Sequence, residues 1–181
     1  MHRYFSQVPS RLRNHLPLRK RREVYFVKQL CNGEGSAWVQ LLDHWSPSLY
    51  SYVSYNVTNE ADVRKLMRLI LSELVQTLVS AEPIENLTVV IFAIAYQHLL
   101  RYRRHAPDPF AGNAWQHPQT GTTGGILPHD FFQHLQQFST EVQQLLLLRY
   151  LCGVTLPELA RIVGLPEEVL SRILRRTRFY R

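Results

Sequence analysis

The stretch 155–178 constrains the fold of this chain most strongly, because two short helical patterns meet there across one glycine. Thr155 is a typical N-cap, and Pro157 falls in the first helical turn, where a missing N–H has little cost. Gly164 can adopt the positive φ that a tight turn between two helices requires. The pattern therefore predicts a helix-turn-helix whose second helix begins near Pro166.

The second helix of this pair has one apolar and one polar side. Its apolar stripe consists of Val169, Leu170, Ile173, Leu174 and Thr177. Its polar side carries Glu167, Glu168, Ser171, Arg172, Arg175, Arg176 and Arg178. A helix-turn-helix places its second helix in the major groove of DNA, so the polar side is where base contacts are expected. From these residues alone, a core hairpin with a solvated basic end is the alternative.

A further helix precedes this pair. Thr140 and Gln143 have the spacing of a capping box, and a leucine-rich run follows until Gly153 ends the helix. Together these patterns predict a compact helical domain over 128–181.

The first half of the chain predicts a separate helical domain over 23–104. Apolar residues recur there at helical spacing in four segments. The predicted helices cover 23–31, 36–53 with Ser36 as cap and a kink at Pro47, 59–79 with Asn59 as cap, and 87–104. The fold class is therefore all-α, with two small helical domains.

Two segments lack helical periodicity. Residues 1–22 contain prolines and a run of four bases, and we expect a flexible basic arm that either solubilises the chain or contacts phosphates. Residues 105–127 are rich in Pro, Gly and Thr, which is typical of a flexible linker. The two helical domains are accordingly expected to pack independently.

Composition narrows the function. A net charge of +7 favours a polyanionic partner, either nucleic acid or an acidic membrane surface. Cys31 and Cys152 are isolated, so we expect reduced thiols and no metal site. No apolar run approaches the ~20 residues that span a bilayer, which predicts a cytoplasmic chain without membrane insertion. No catalytic constellation or phosphate loop is evident, so neither an enzyme nor a cofactor is expected.

Three segments carry a family resemblance. VKQLCNGEGSAWVQLLDHWSPSLYSYV (27–53) and NEADVRKLMRLILSELVQTL (59–78) resemble the second region of sigma-70 family RNA polymerase sigma factors. FSTEVQQLLLLRYLCGVTLPELARIVGLPEEVLSRILRRTR (138–178) resembles their fourth region. Two helical units with only a linker between them match the short extracytoplasmic-function (ECF) type.

The resemblance implies that the first unit binds the clamp of core RNA polymerase and opens promoter DNA at the -10 element, while the second unit reads the -35 element. By position, the base-edge candidates are Glu168, Ser171, Arg172 and Arg175, since arginine can pair with guanine and glutamate with cytosine. The phosphate candidates of the second unit are Arg176, Arg178 and Arg181. In the first unit, strand contacts are expected at the loop 80–88 and at Arg101, Tyr102, Arg103 and Arg104. An anti-sigma factor is a further candidate partner.

The third helix departs from the family pattern. Its expected polymerase-facing residues are Asp62, Arg64, Lys65 and Arg68, where the family commonly has acids and a glutamine. Two hypotheses follow. The chain is a divergent alternative sigma factor that directs promoter recognition and transcription initiation, or it is a sigma-derived DNA-binding or adaptor protein that does not itself start transcription.

Overall fold

A computed structural model describes residues 18–80, 84–105 and 129–177 and confirms the all-α fold class for them. The helices are α1 (Leu18–Cys31), α2 (Gly35–Asn56), α3 (Glu60–Val79), α4 (Leu87–Arg103), α5 (His129–Leu135), α6 (Thr140–Leu146), α7 (Leu156–Val163) and α8 (Glu167–Arg176). A π-helical turn, Leu147–Leu151, continues α6. The N-terminal arm up to residue 17 and linker residues 106–128 lie outside the described residues, so both stay predictions.

Side-chain caps fix the starts of α3 and α4 where the sequence predicts them. The Asn59 side-chain oxygen accepts a hydrogen bond from the Ala61 N–H at 2.9 Å. The Asn86 side-chain oxygen accepts one from the Val89 N–H at 3.0 Å. Each cap satisfies a backbone donor that the first helical turn leaves without an intrahelical partner.

Three predicted helix starts differ. Helix α1 begins at Leu18 and not at residue 23, because the LRKRR run consists of strong helix formers. Glu34, not Ser36, caps α2, since its carbonyl already accepts from the N–H groups of residues 37 and 38. Ser139 occupies the cap position of α6, so the predicted capping box of Thr140 and Gln143 is wrong.

The helix-turn-helix has the predicted local structure. The N–H and the hydroxyl of Thr155 both donate to the Glu158 carboxylate, at 2.9 and 2.7 Å, which ties down the start of α7. Gly164 has φ 71° and ends α7 in the left-handed conformation. The N–H groups of Gly164 and Leu165 both donate to the Ala160 carbonyl. Because Pro166 has no N–H, every backbone donor of the turn before α8 is hydrogen-bonded.

The two helical groups, α1–α4 and α5–α8, pack against each other, contrary to the expected independent packing. The rings of Tyr55 in α2 and Phe132 in α5 stack with centroids 4.8 Å apart. The Asn86 side chain donates to Glu158 at 3.0 Å, which joins the start of α4 to α7. Helix α4 explains the difference. Its buried residues lie on several sides of the helix, so α2 and α3 alone do not cover them.

Three fully buried polar residues form hydrogen bonds between the two groups. The Tyr52 hydroxyl donates to the side-chain oxygen of Gln144, and the Gln144 amide donates to the side-chain oxygen of Asn56. The Asn56 amide in turn donates to the Tyr52 carbonyl at 2.7 Å. Burial raises the pKa of Tyr52 well above its usual range, so its phenol stays protonated and able to donate.

Arg103 extends these contacts from the end of α4. Its guanidinium donates to the side-chain oxygens of Asn56 at 3.3 Å, Thr140 at 3.3 Å and Gln143 at 3.2 Å. The buried Gln143 amide donates to the carbonyls of Leu135 and Phe138, each at 3.0 Å. We call Tyr52, Asn56, Arg103, Gln143 and Gln144 the polar interface network. It links α2 and α4 to the α5–α6 region.

Replacing Gln144 by Leu should lower the free energy of unfolding by about 1 to 3 kcal/mol. The Tyr52 hydroxyl would lose its hydrogen-bond acceptor, and the Asn56 side-chain oxygen would lose the hydrogen bond that it accepts from the Gln144 amide. Both groups would stay buried. The exposed Gln136→Leu is the matched control and should change stability by less than about 0.5 kcal/mol. Urea unfolding of both variants measures the difference, and equal effects would contradict a structural role for the network.

Candidate nucleic-acid interface

Helix α8 packs on the core through Leu170, with Ile173 and Leu174 half-buried beside it, and exposes its polar side. Leu170 and Thr177 are buried, and the Thr177 hydroxyl donates to the Leu174 carbonyl at 2.8 Å. Val169, which the sequence placed on the apolar stripe, is 37% exposed. It lies at the edge of the stripe, about 100° around the helix from Leu170, where the packing partner no longer reaches.

The exposed side of α8 forms an open groove. Its lining residues are Glu168, Ser171, Arg172, Arg175 and Arg176. Their spacing of i, i+3, i+4, i+7 and i+8 brings five predicted contact residues onto one face. All are exposed except Ser171, which is half-buried. Three guanidinium groups against one carboxylate make this face positive, and arginine suits both guanine edges and phosphates. Arg178 and Arg181 lie outside the described residues.

The side chains at the basic end of α4 differ in their exposure to solvent. Arg101 and Arg104 are exposed, as a strand-binding role requires. The Tyr102 hydroxyl donates to the Asp62 carboxylate at 3.0 Å, and burial together with this hydrogen bond raises the pKa of Tyr102. Arg103 is half-buried, and its guanidinium is hydrogen-bonded within the polar interface network in this arrangement. Its contact with DNA stays a prediction.

The predicted polymerase-facing residues of α3 do not form one uniform surface. Arg64 forms an ion pair with Glu60 one turn earlier. Lys65 and Arg68 are exposed, whereas Asp62 is half-buried and bound to Tyr102. The charge of Arg64 is therefore matched within α3, while Asp62 is hydrogen-bonded to α4.

The loop before α4 is only partly described, because residues 81–83 lie outside the described ranges. Asn86 uses its side chain for the α4 cap and for Glu158. Glu85 forms an exposed ion pair with Arg161 at 3.4 Å. The described part of the loop 80–88, where strand contacts are expected, therefore contacts α7.

The cysteines form no disulfide. The Cys31 thiol donates to the Leu78 carbonyl at 2.9 Å, and burial raises the pKa of both Cys31 and Cys152. Within the described ranges, no group of three or more His, Cys, Asp or Glu residues is placed to hold a metal ion. None of the helices described above is both long and apolar enough to cross a membrane.

The described residues thus form an all-helical fold in which a helix-turn-helix carries an exposed basic face. Among solved structures, it is similar to CnrH in complex with the cytosolic domain of CnrY, with a TM-score of 0.66 and 17% sequence identity. The match covers 85% of this chain and 90% of that chain. No protein-family model and no curated protein sequence matches. The likeness establishes the shared fold.

Replacing Arg172 by Ala should remove about 1 to 3 kcal/mol of discrimination at one base pair, since a bidentate contact to a base edge would be lost. Arg176→Ala is the matched control from the same groove. As a phosphate contact, it should weaken binding to all sequences alike and lower the salt slope by about one. Selection from a randomised duplex library measures both effects. Unchanged sequence preference in Arg172→Ala would contradict base reading by this face.

Proposed function

We propose that this chain is a divergent alternative sigma factor of the ECF type, which binds core RNA polymerase and directs it to promoters. The observation that carries the proposal is the recognition face of α8, where five polar side chains at groove-facing spacing stand on a helix-turn-helix. The fold as a whole supports it, because the all-helical fold that the chain shares with CnrH over 85% of its length is consistent with the resemblance of its segments to sigma factors.

In this proposal the two helical groups have different tasks. The α8 face reads the -35 element by base-edge contacts from Glu168, Ser171, Arg172 and Arg175, while Arg176 holds phosphate. The first group binds polymerase and contacts DNA near the -10 element through the exposed end of α4. The chain acts by recruitment and recognition, not by catalysis. Because CnrH is bound to the cytosolic domain of CnrY, an anti-sigma factor is a proposed partner as well.

Simultaneous contact with both promoter elements requires the two groups to separate. Elements about 25 base pairs apart are roughly 85 Å apart at ~3.4 Å per pair. A compact chain of this length has a radius of gyration of about 16 Å, so it is only about 40 Å across. The contacts of the polar interface network would then break on the promoter, and Arg103 would become available to DNA.

The second candidate is a sigma-derived DNA-binding or adaptor protein that does not start transcription. The observation that favours it is the charge of α3, where Arg64, Lys65 and Arg68 stand in the region that would meet polymerase. The family commonly has acids and a glutamine at these positions, so a polymerase surface that fits those residues would meet like charges here, which weaken association. This candidate keeps the α8 recognition face and gives up the polymerase contact.

Affinity purification of the tagged chain from its own cells separates the two candidates. A sigma factor should recover the large core polymerase subunits in near-equal amount. The double variant Arg172→Ala/Arg175→Ala is the matched control and should still recover them, because polymerase does not hold the chain through the DNA-reading face. Recovery of DNA without polymerase would contradict the sigma-factor proposal and support the adaptor.

A further inference from the structure

A shallow pocket lies between the start of α3 and the end of α4, apart from the recognition face of α8. Its lining residues are Asp62, Lys65, Leu66, Leu69, His98, Arg101 and Tyr102. Leu66 and Leu69 supply an apolar wall, and Tyr102 supplies an aromatic ring beside it. The pocket thus combines apolar surface, one aromatic ring and two long cationic side chains.

The cations of this pocket are free to bind an anion, whereas its other polar groups are engaged. The His98 ring nitrogen lies 2.7 Å from the Glu73 carboxylate, and Asp62 accepts from Tyr102. Within the described part of the chain, neither Lys65 nor Arg101 forms an ion pair. Asp62 is the one carboxylate that lines the pocket, so an anion here would meet two cationic side chains against one negative charge.

Two further exposed cations continue the pocket along both helices. Arg68 follows Lys65 by three residues on α3, and Arg104 follows Arg101 by three residues at the end of α4. Residues three apart on a helix are neighbours, about 5 to 6 Å between Cβ atoms. Arg64 differs, because its charge is matched by Glu60.

We propose that Lys65, Arg68, Arg101 and Arg104 form one surface that binds the phosphodiester backbone of nucleic acid. This extends the proposed function, from which it takes the DNA-binding role, and it assigns Lys65 and Arg68 to DNA and not to polymerase. Neighbouring cations that release counterions give sequence-independent affinity. The Tyr102 ring and the leucine wall suit the sugar and base of an adjoining nucleotide, which an acidic protein would not supply. The assignment also removes a like-charge contact with the polymerase clamp.

The test compares the full chain, alone and bound to core polymerase, with the double variant Lys65→Gln/Arg101→Gln. The probes are a duplex and a single strand of arbitrary sequence, titrated across a range of salt concentrations. Loss of two phosphate contacts should lower the slope of log K against log salt by about two and weaken binding about five- to tenfold per contact at ~0.1 M salt. Lys28→Gln is the control, since it removes an exposed charge from another helix of the same group, and it should bind like the wild type.

The outcomes separate this surface from the proposed function. A double variant that keeps the wild-type slope on both probes would overturn the phosphate surface, even if Arg172→Ala still alters sequence preference. Weakened polymerase binding with unchanged DNA binding would overturn it too and return Lys65 and Arg101 to a protein interface. An equal loss in Lys28→Gln would show a general effect of charge and would likewise overturn it. Thermal unfolding of each variant confirms that the fold is kept, as expected for exposed side chains.

Discussion

The structure depends on a buried polar contact between its two helical groups. Tyr52, Asn56 and Gln144 are fully buried and satisfy one another, and the Arg103 guanidinium joins them from α4. Buried polar groups are costly unless they are hydrogen-bonded, so the network fixes one relative position of the groups and disfavours others. The same contact engages the Arg103 guanidinium, and the side chain is half-buried. Under the proposed function, the packing of the groups and the release of Arg103 to DNA are therefore coupled at a single side chain.

The sequence predicts the elements better than their arrangement. Asn59, Gly164 and Pro166 are local signals, so they give the boundaries of α3, α7 and α8 correctly. The spacing of residues 168–176 likewise predicts that five polar side chains share one face of α8, and the structure places them there. No sequence pattern predicts the long-range contacts of Gln143 and Asn56, because hydrogen bonds to residues far along the chain produce no periodicity in the sequence. The apolar run in the first half of α4 is the sequence signal that predicts a second packing partner for this helix, and the structure buries most of that run.

Two positive surfaces now stand on different helical groups. The α8 groove combines Arg172 and Arg175 with Glu168, a mixture that suits discrimination between bases. The proposed surface on α3 and α4 places lysine and arginine side chains around a pocket that holds two leucines and one carboxylate, Asp62, which suits affinity without sequence choice. A chain with both would read one site through α8 and hold adjoining DNA through its first group. This division agrees with the chain's overall positive charge.

The most direct test of the sigma-factor proposal is transcription reconstituted from purified parts. Core polymerase from the source cells is combined with a library of genomic DNA fragments, with and without the chain, and new transcripts are sequenced. The proposal predicts transcripts that appear only with the chain and share upstream sequences that the Arg172→Ala variant no longer prefers. If the chain binds the same fragments but no new transcripts arise, it does not initiate transcription, and the adaptor function accounts for its fold.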